Sequence, residues 1–442
     1  MKKILTLFLC SSLSFSFAVQ ANEQPTVNKI KPKNIIMIVS DGMGPAYTTA
    51  YRYYNDDPNT PEIEETVFDR HLVGMSSTYP APVSGYVTDS AAGATALATG
   101  VKSYNGAISV DVNKKPLKTV LQQAKKNGKK TGVVVTSQVN HATPASYISH
   151  NESRRNYNAI ADSYIDNGIN IDLLLGGGTN YFVREDRNLI DEFKAKGFDY
   201  IESYDQLNTI RSDKSVIGLF APIGLPWALD DSNKYRLSAM TKAATAHLEN
   251  NNGYFMLIEA SQVDWGGHSN DIASAMAEMD DLAETLIYLE QYVKEHPDTL
   301  VVLTADHSTG GLTLGVDGEY KWEPSVFKGM KQSSHSIAQA IAEKDITAEQ
   351  LAQMLTFALT DEQFSQLQVI KENKADDIKT YQLTRQLYTK INQFISEKSY
   401  TGWTTGGHTG IDVPVFAFGK GHSIFSKKID NTDIAKKIFK LL

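Results

Sequence analysis

Six short apolar runs, alternating with helical patterns, constrain this chain more than any other feature of it. They are Asn34–Val39, Lys130–Thr136, Ile171–Leu175, Tyr254–Ile258, Thr299–Thr304 and Val413–Phe418. Between them lie amphipathic stretches such as Ser274–Lys294, where apolar residues recur at helical spacing. That alternation predicts an α/β fold: a three-layer sandwich whose central, mostly parallel β-sheet is flanked by helices. No internal repeat is present. Residues 316 to about 400 differ in character, being polar and charged, with capping boxes at Thr347–Gln350 and Thr360–Gln363 that announce short helices. They read as a surface insertion, and a lid, a dimer arm and a passive decoration are all open as its role.

The first residues read as an address. Lys2 and Lys3, the apolar run Ile4–Val19 and the small residue Ala21 make residues 1–21 a secretory signal peptide, leaving 22–442 as a single domain in the periplasm or outside the cell. No later stretch has the roughly 18 uninterrupted apolar residues of a membrane span. Cys10 is the only cysteine and lies in the leader, so the mature chain has no disulfide, thiolate nucleophile or cysteine metal ligand. Loss of the leader takes the formal charge from −8 to −10. With no basic stripe, the chain has no footprint for nucleic acid.

In an open parallel sheet, ligands bind beyond the carboxyl ends of the strands. Asp41 follows the first run, Glu259 ends another, and Asp264 and His268 come just after it. Asp306 and His307 follow Thr304, His408 precedes the last run, and His141 and Thr143 open the segment after residue 140. Each has a plain structural reading: a turn at Asp41–Gly42, a hydrogen-bonded pair at Asp306–His307, a core histidine at His141. Together they read as a metal site, and His, Asp, Glu and Thr without Cys suit catalytic zinc plus a harder ion such as magnesium. Ser90 opens an Ala-rich stretch and would sit at a helix N-terminus, where amides favour an anion. The bland alternative makes Asp89 an N-cap over a packed helix.

The segments SDGMG, VTDSAAGATALATG, NHATPASYISHNESR, EASQVDWGGH, TADHSTGG and GGHTGIDVPVFAFG, in this order from about residue 34 to 420, resemble the alkaline phosphatases. The likeness extends to compact cold-adapted bacterial members, which share Trp265. It implies hydrolysis of small phosphate monoesters at alkaline pH, two zinc ions and one magnesium per chain, and a homodimer. Carried across by position, Asp264, His268 and His408 hold the first zinc. Asp41, Asp306 and His307 hold the second, with Ser90 coordinating as it attacks. Asp41 bridges to a third site completed by Glu259, Thr143 and His141, and Arg154 clamps the phosphate. A phosphoserine at Ser90 and retention at phosphorus are implied. Sulfatases, diesterases and mutases of the same superfamily fit less well, and an inactive periplasmic phosphate- or zinc-binding protein is the alternative from another class.

Two positions depart from the best-known bacterial pattern: His141 stands where some members carry Asp, and Trp265 where they carry Lys. His141 is the softer ligand, so the third site is open to zinc or cobalt as well as magnesium. An indole has neither the charge nor the reach of a lysine toward phosphate, which implies weak product inhibition. Trp265→Lys should therefore lower the inhibition constant of inorganic phosphate in steady-state assays; an unchanged constant refutes the role.

Overall fold

The computed structural model describes residues 30–372 and 379–442; the expected leader, residues 1–21, lies outside them. Ten strands make one sheet. In chain order they are β1 (Asn34–Ser40), β2 (Leu72–Ser77), β3 (Lys130–Gln138), β4 (Leu173–Gly177) and β5 (Asp199–Ile201), then β6 (Val216–Leu219), β7 (Tyr254–Ala260), β8 (Thr299–Thr304), β9 (Val413–Gly419) and β10 (Lys427–Asp430). Their spatial order is β10-β2-β9-β8-β1-β7-β3-β4-β6-β5. All run the same way except β9, which is antiparallel to both of its neighbours, β8 and β2.

The apolar runs form strands because both of their faces are covered. Along β1 the side chains divide by the period-2 rule. Ile36 and Ile38 enter one core, and Ile35, Met37 and Val39 enter the other. Against the first face pack the helices Pro45–Asn55, Arg236–Leu248 and Ile272–Glu295; against the second pack Ser90–Thr99, Val120–Lys126, Ala142–Ile148 and Asn431–Leu441. That is the expected three-layer sandwich. All six expected strands are present, the one at Ile171 starting two residues later. The reading omitted β2, β5, β6 and β10, which are short or carry half-exposed residues.

Among the described residues of the expected insertion, Ser325–Lys328, Ser334–Glu343, Ala348–Leu355, Asp361–Glu372 and Thr380–Ser399 are helices, and their apolar stripes join the first core. Ile337, Leu351, Leu387 and Ile391 are buried there, and both capping boxes form at Thr347 and Thr360. A second tie lies deeper. Fully buried Arg236 reaches Glu278 at 2.8 Å and Asp281 at 3.0 Å, and it donates to Gln262 Oε1 at 3.1 Å. Its paired charges pin two long helices to the first residue of the short Gln262–His268 helix. Among the described residues no helix is long and apolar enough to cross a membrane.

Candidate active site

The central strands β8, β1, β7 and β3 bring their carboxyl ends to one edge, and the residues singled out in the sequence meet there. Asp41 follows β1 directly, Glu259 is the next-to-last residue of β7, and Asp306 and His307 follow β8. Asp264 and His268 sit on the Gln262–His268 helix, while His141 and Thr143 stand at the start of Ala142–Ile148. His408 lies on a two-residue strand paired antiparallel with Ser308–Thr309, which draws it back over the site. Gly42, at φ +76°, permits the close approach, since a Cβ there would lie 2.7 Å from Asp264 Cα.

Three imidazoles share one arrangement. His268 Nδ1 lies 2.7 Å from the Gly406 carbonyl and His408 Nδ1 lies 2.9 Å from the Thr88 carbonyl, so each must donate there. The Thr309 hydroxyl gives its proton to Asp264 Oδ1, which leaves its oxygen as acceptor for His307 Nδ1 at 3.2 Å. Each neutral ring therefore turns an Nε2 lone pair inward. The Nε2 atoms of His268 and His408 are 3.1 Å apart, a contact in which neither has a proton to offer. His268 Nε2 is 3.4 Å and His408 Nε2 3.6 Å from the Asp264 carboxylate. His307 Nε2 faces Asp41 at 3.2 Å, Asp306 at 3.4 Å and Ser90 Oγ at 3.1 Å.

The oxygens are equally short of partners. Both carboxylate oxygens of Asp41, Asp306 Oδ2, Glu259 Oε1 and the Thr143 hydroxyl are buried without a hydrogen bond. The other Glu259 oxygen accepts from Ser261 at 2.7 Å and Ser137 at 3.1 Å. Ligand atoms lie within 4.8 Å of one another inside each of three groups: Asp264 with His307 and His408, Asp41 with His141 and Glu259, and Asp41 with Asp306 and His307. Buried carboxylates and lone pairs facing each other are costly alone, and cations resolve the conflict. The donor set thus fits metal ions.

Ser90 is the first residue of the Ser90–Thr99 helix, and Asp89 caps it, accepting from the Ala92 amide at 3.0 Å. The same Asp89 holds Arg154 at 3.1 Å, a link that sequence reading, which saw only a cap, did not find. Arg154 also donates to His141 Nε2 at 3.2 Å, while His141 Nδ1 has no partner. A neutral imidazole has a single lone pair, and here it goes to Arg154. Trp265 meets the His141 ring edge-on at 6.2 Å and the Trp227 ring edge-on at 6.4 Å. Thr309, which sets the His307 tautomer, lies in the TADHSTGG segment, where nothing in the sequence marks it as the partner of a histidine.

A family model for alkaline phosphatase matches residues 32–442. Alkaline phosphatase 3 of Bacillus subtilis is 42% identical over 458 residues, spanning 100% of this chain and 97% of its own length. The crystal structure of a cold-active alkaline phosphatase from a psychrophilic Shewanella superposes with a TM-score of 0.87 at 50% identity, covering 92% of this chain and 99% of that one. A mutant of the TAB5 alkaline phosphatase, with a histidine changed to glutamate and Mg bound in its M3 site, gives a TM-score of 0.69 at 27% identity. That match covers 93% of this chain and 98% of the other.

Burial and mutual repulsion fix how the metal-free centre titrates. Burial, then the charges of neighbouring carboxylates, hold Asp41 and Asp306 well above the usual carboxylate range. Burial pushes Glu259 from 4.5 to about 7, against the pull of the Ser261 hydroxyl. Burial, then Arg154, lowers His141 to about 3, and burial also lowers His307 and His408. The depressed imidazoles add stability as pH rises, but only up to their unfolded value of 6.5. Raised carboxyls act oppositely: the folded state keeps protons the unfolded chain has lost, so stability falls as pH climbs through the raised values. Above pH 6.5 the carboxyls act alone. The gap between the melting temperatures of metal-loaded and metal-free protein should widen above that pH in calorimetric scans; a constant or narrowing gap contradicts this.

Proposed function

This chain belongs to the alkaline phosphatase family and is a metal-dependent phosphate monoester hydrolase, and on that footing we propose that Ser90 is its nucleophile and Arg154 its phosphate clamp. We assign two zinc ions, one to Asp264, His268 and His408 and one to Asp41, Asp306 and His307, with a magnesium shared by Asp41, His141, Thr143 and Glu259. The observation that carries the assignment is the set of inward Nε2 lone pairs and unpartnered buried carboxylate oxygens at one sheet edge, with Ser90 Oγ 3.1 Å from His307 Nε2. When bound, such ions supply Lewis-acid activation of the nucleophile, stabilisation of the leaving alkoxide and neutralisation of phosphoryl charge.

The chain's own residues do the rest. Ser90 opens a helix, so the positive end of its dipole faces incoming phosphate and the oxyanion that Ser90 becomes. Oγ bonds to phosphorus as the ester oxygen leaves; a water then attacks phosphorus, Oγ departs, and two inversions give retention. Arg154, oriented by Asp89, presents a planar fork to two phosphoryl oxygens. Turning to phosphate takes one of its donors from His141, which frees that ring's lone pair for the third ion. In the TAB5 variant with Mg bound in its M3 site a glutamate replaces a histidine, so the magnesium assignment here rests on the oxygen ligands of Asp41, Thr143 and Glu259.

Export and a homodimer belong to the same proposal. Exposed Tyr86, Val87 and Ile411, adjoining through Gly410, support a contact surface beside the site. Ser90→Ala should lower kcat by about three orders of magnitude or more, the scale of a single transition-state-stabilising group. Acid quenching of wild-type turnover should trap phosphate on Ser90 and nowhere else. Label on another residue, or near-normal turnover by the variant, would falsify the assignment.

A further inference from the structure

The insertion's last helix, Thr380–Ser399, carries none of the assigned ligands, yet it hydrogen-bonds to both segments that carry the first pair of histidines. Three of its side chains, Tyr388, Asn392 and Ser396, are spaced four residues apart and so share one helix face. The Asn392 amide donates to the Ser269 carbonyl at 3.0 Å, one residue beyond His268. The Tyr388 hydroxyl donates to Asp271 Oδ2 at 3.0 Å, and the other oxygen of that buried carboxylate caps the following helix through the Ser274 amide at 2.9 Å. One turn further along, Ser396 Oγ accepts from Trp403 Nε1 at 3.2 Å. Trp403 stands at the head of the loop leading to His408, and within that loop Gly406 supplies the carbonyl that orients His268. Leu387, Ile391 and Ile395 are buried in the main core, which keeps the helix from rolling.

We propose that this helix is a bracket: Tyr388 and Asn392 on one side, and Ser396 through Trp403 on the other, set the spacing of His268 and His408 and thereby the affinity of the first zinc. The inference rests on the ligand assignment above. These are positioning residues, since none of them touches an ion or substrate. It also gives the insertion a role other than lid, dimer arm or decoration. The two ligand nitrogens stand 3.1 Å apart, close to the separation that a tetrahedral zinc with bonds of about 2.0–2.1 Å requires, so the backbone segments behind them decide how firmly that spacing is held.

The test is chelator competition on full-length, zinc-loaded protein, with cobalt substitution to report the geometry of each site. Tyr388→Phe and Asn392→Ala should each weaken one zinc by about 10- to 100-fold, the range for partners standing behind metal ligands, and alter one cobalt spectrum while leaving the second ion's affinity unchanged. Ile391→Val, a packing change in the same helix, should lower the melting temperature and leave both affinities at the wild-type value. His268→Ala should lose one zinc outright. If His268→Ala loses its zinc while Tyr388→Phe and Asn392→Ala bind both ions normally, the bracket is wrong and the site stands. Equal weakening of both zincs in all three helix variants also overturns the bracket, because loosened packing would explain it. A full zinc complement in His268→Ala overturns the ligand assignment itself.

Discussion

Three histidines direct their Nδ1 protons outward, to two backbone carbonyls and a threonine, and the centre depends on that choice. It fixes their tautomers and leaves lone pairs facing buried carboxylates. Neither group can satisfy the other: imidazole nitrogens without protons repel carboxylate oxygens, and burial raises the cost of each. The centre is thus an arrangement of acceptors awaiting cations. With Cys10 as its single cysteine, the chain has no internal disulfide to offset that cost, so binding energy from metals becomes part of its folding energy.

The sheet explains why such a collection is possible. β1 lies between β8 and β7, with β3 next, and their parallel direction brings four carboxyl ends to one edge. Strands buried on both faces cannot shift register without exposing a core, so the ligands that follow them inherit a fixed spacing. The helices behind the ligands are fixed as firmly. Arg236 ties Gln262, at the start of the Asp264 helix, to Glu278 and Asp281. The site is held from its second layer outward.

The central strands were legible because two-sided burial writes a continuous apolar run, and the ligands were legible because they follow those runs. The reversed direction of β9 was not, since Val413–Phe418 has the same composition as its parallel neighbours and direction resides only in pairing. Nor were β5 and β10, whose short, partly exposed segments carry little pattern. Within the site, sequence supplied residue types without partners. Asp89 read as a cap, and its second task of holding Arg154 appears only once residues 65 positions apart come together. Tyr388 and Asp271 are separated by 117 positions, and nothing local marks either as a neighbour of the other. The polar composition of residues 316–400 likewise hid the apolar stripes by which those helices join the core.

The central claim is that the inward lone pairs and unpartnered carboxylates are places for ions. Its most direct test is anomalous diffraction at the zinc absorption edge, from crystals of protein prepared with zinc and magnesium. The expected maps show one anomalous peak among Asp264, His268 and His408, a second among Asp41, Asp306 and His307, and a non-anomalous ion at Asp41, His141, Thr143 and Glu259. Well-ordered crystals with these side chains in place and only water between them would contradict the account.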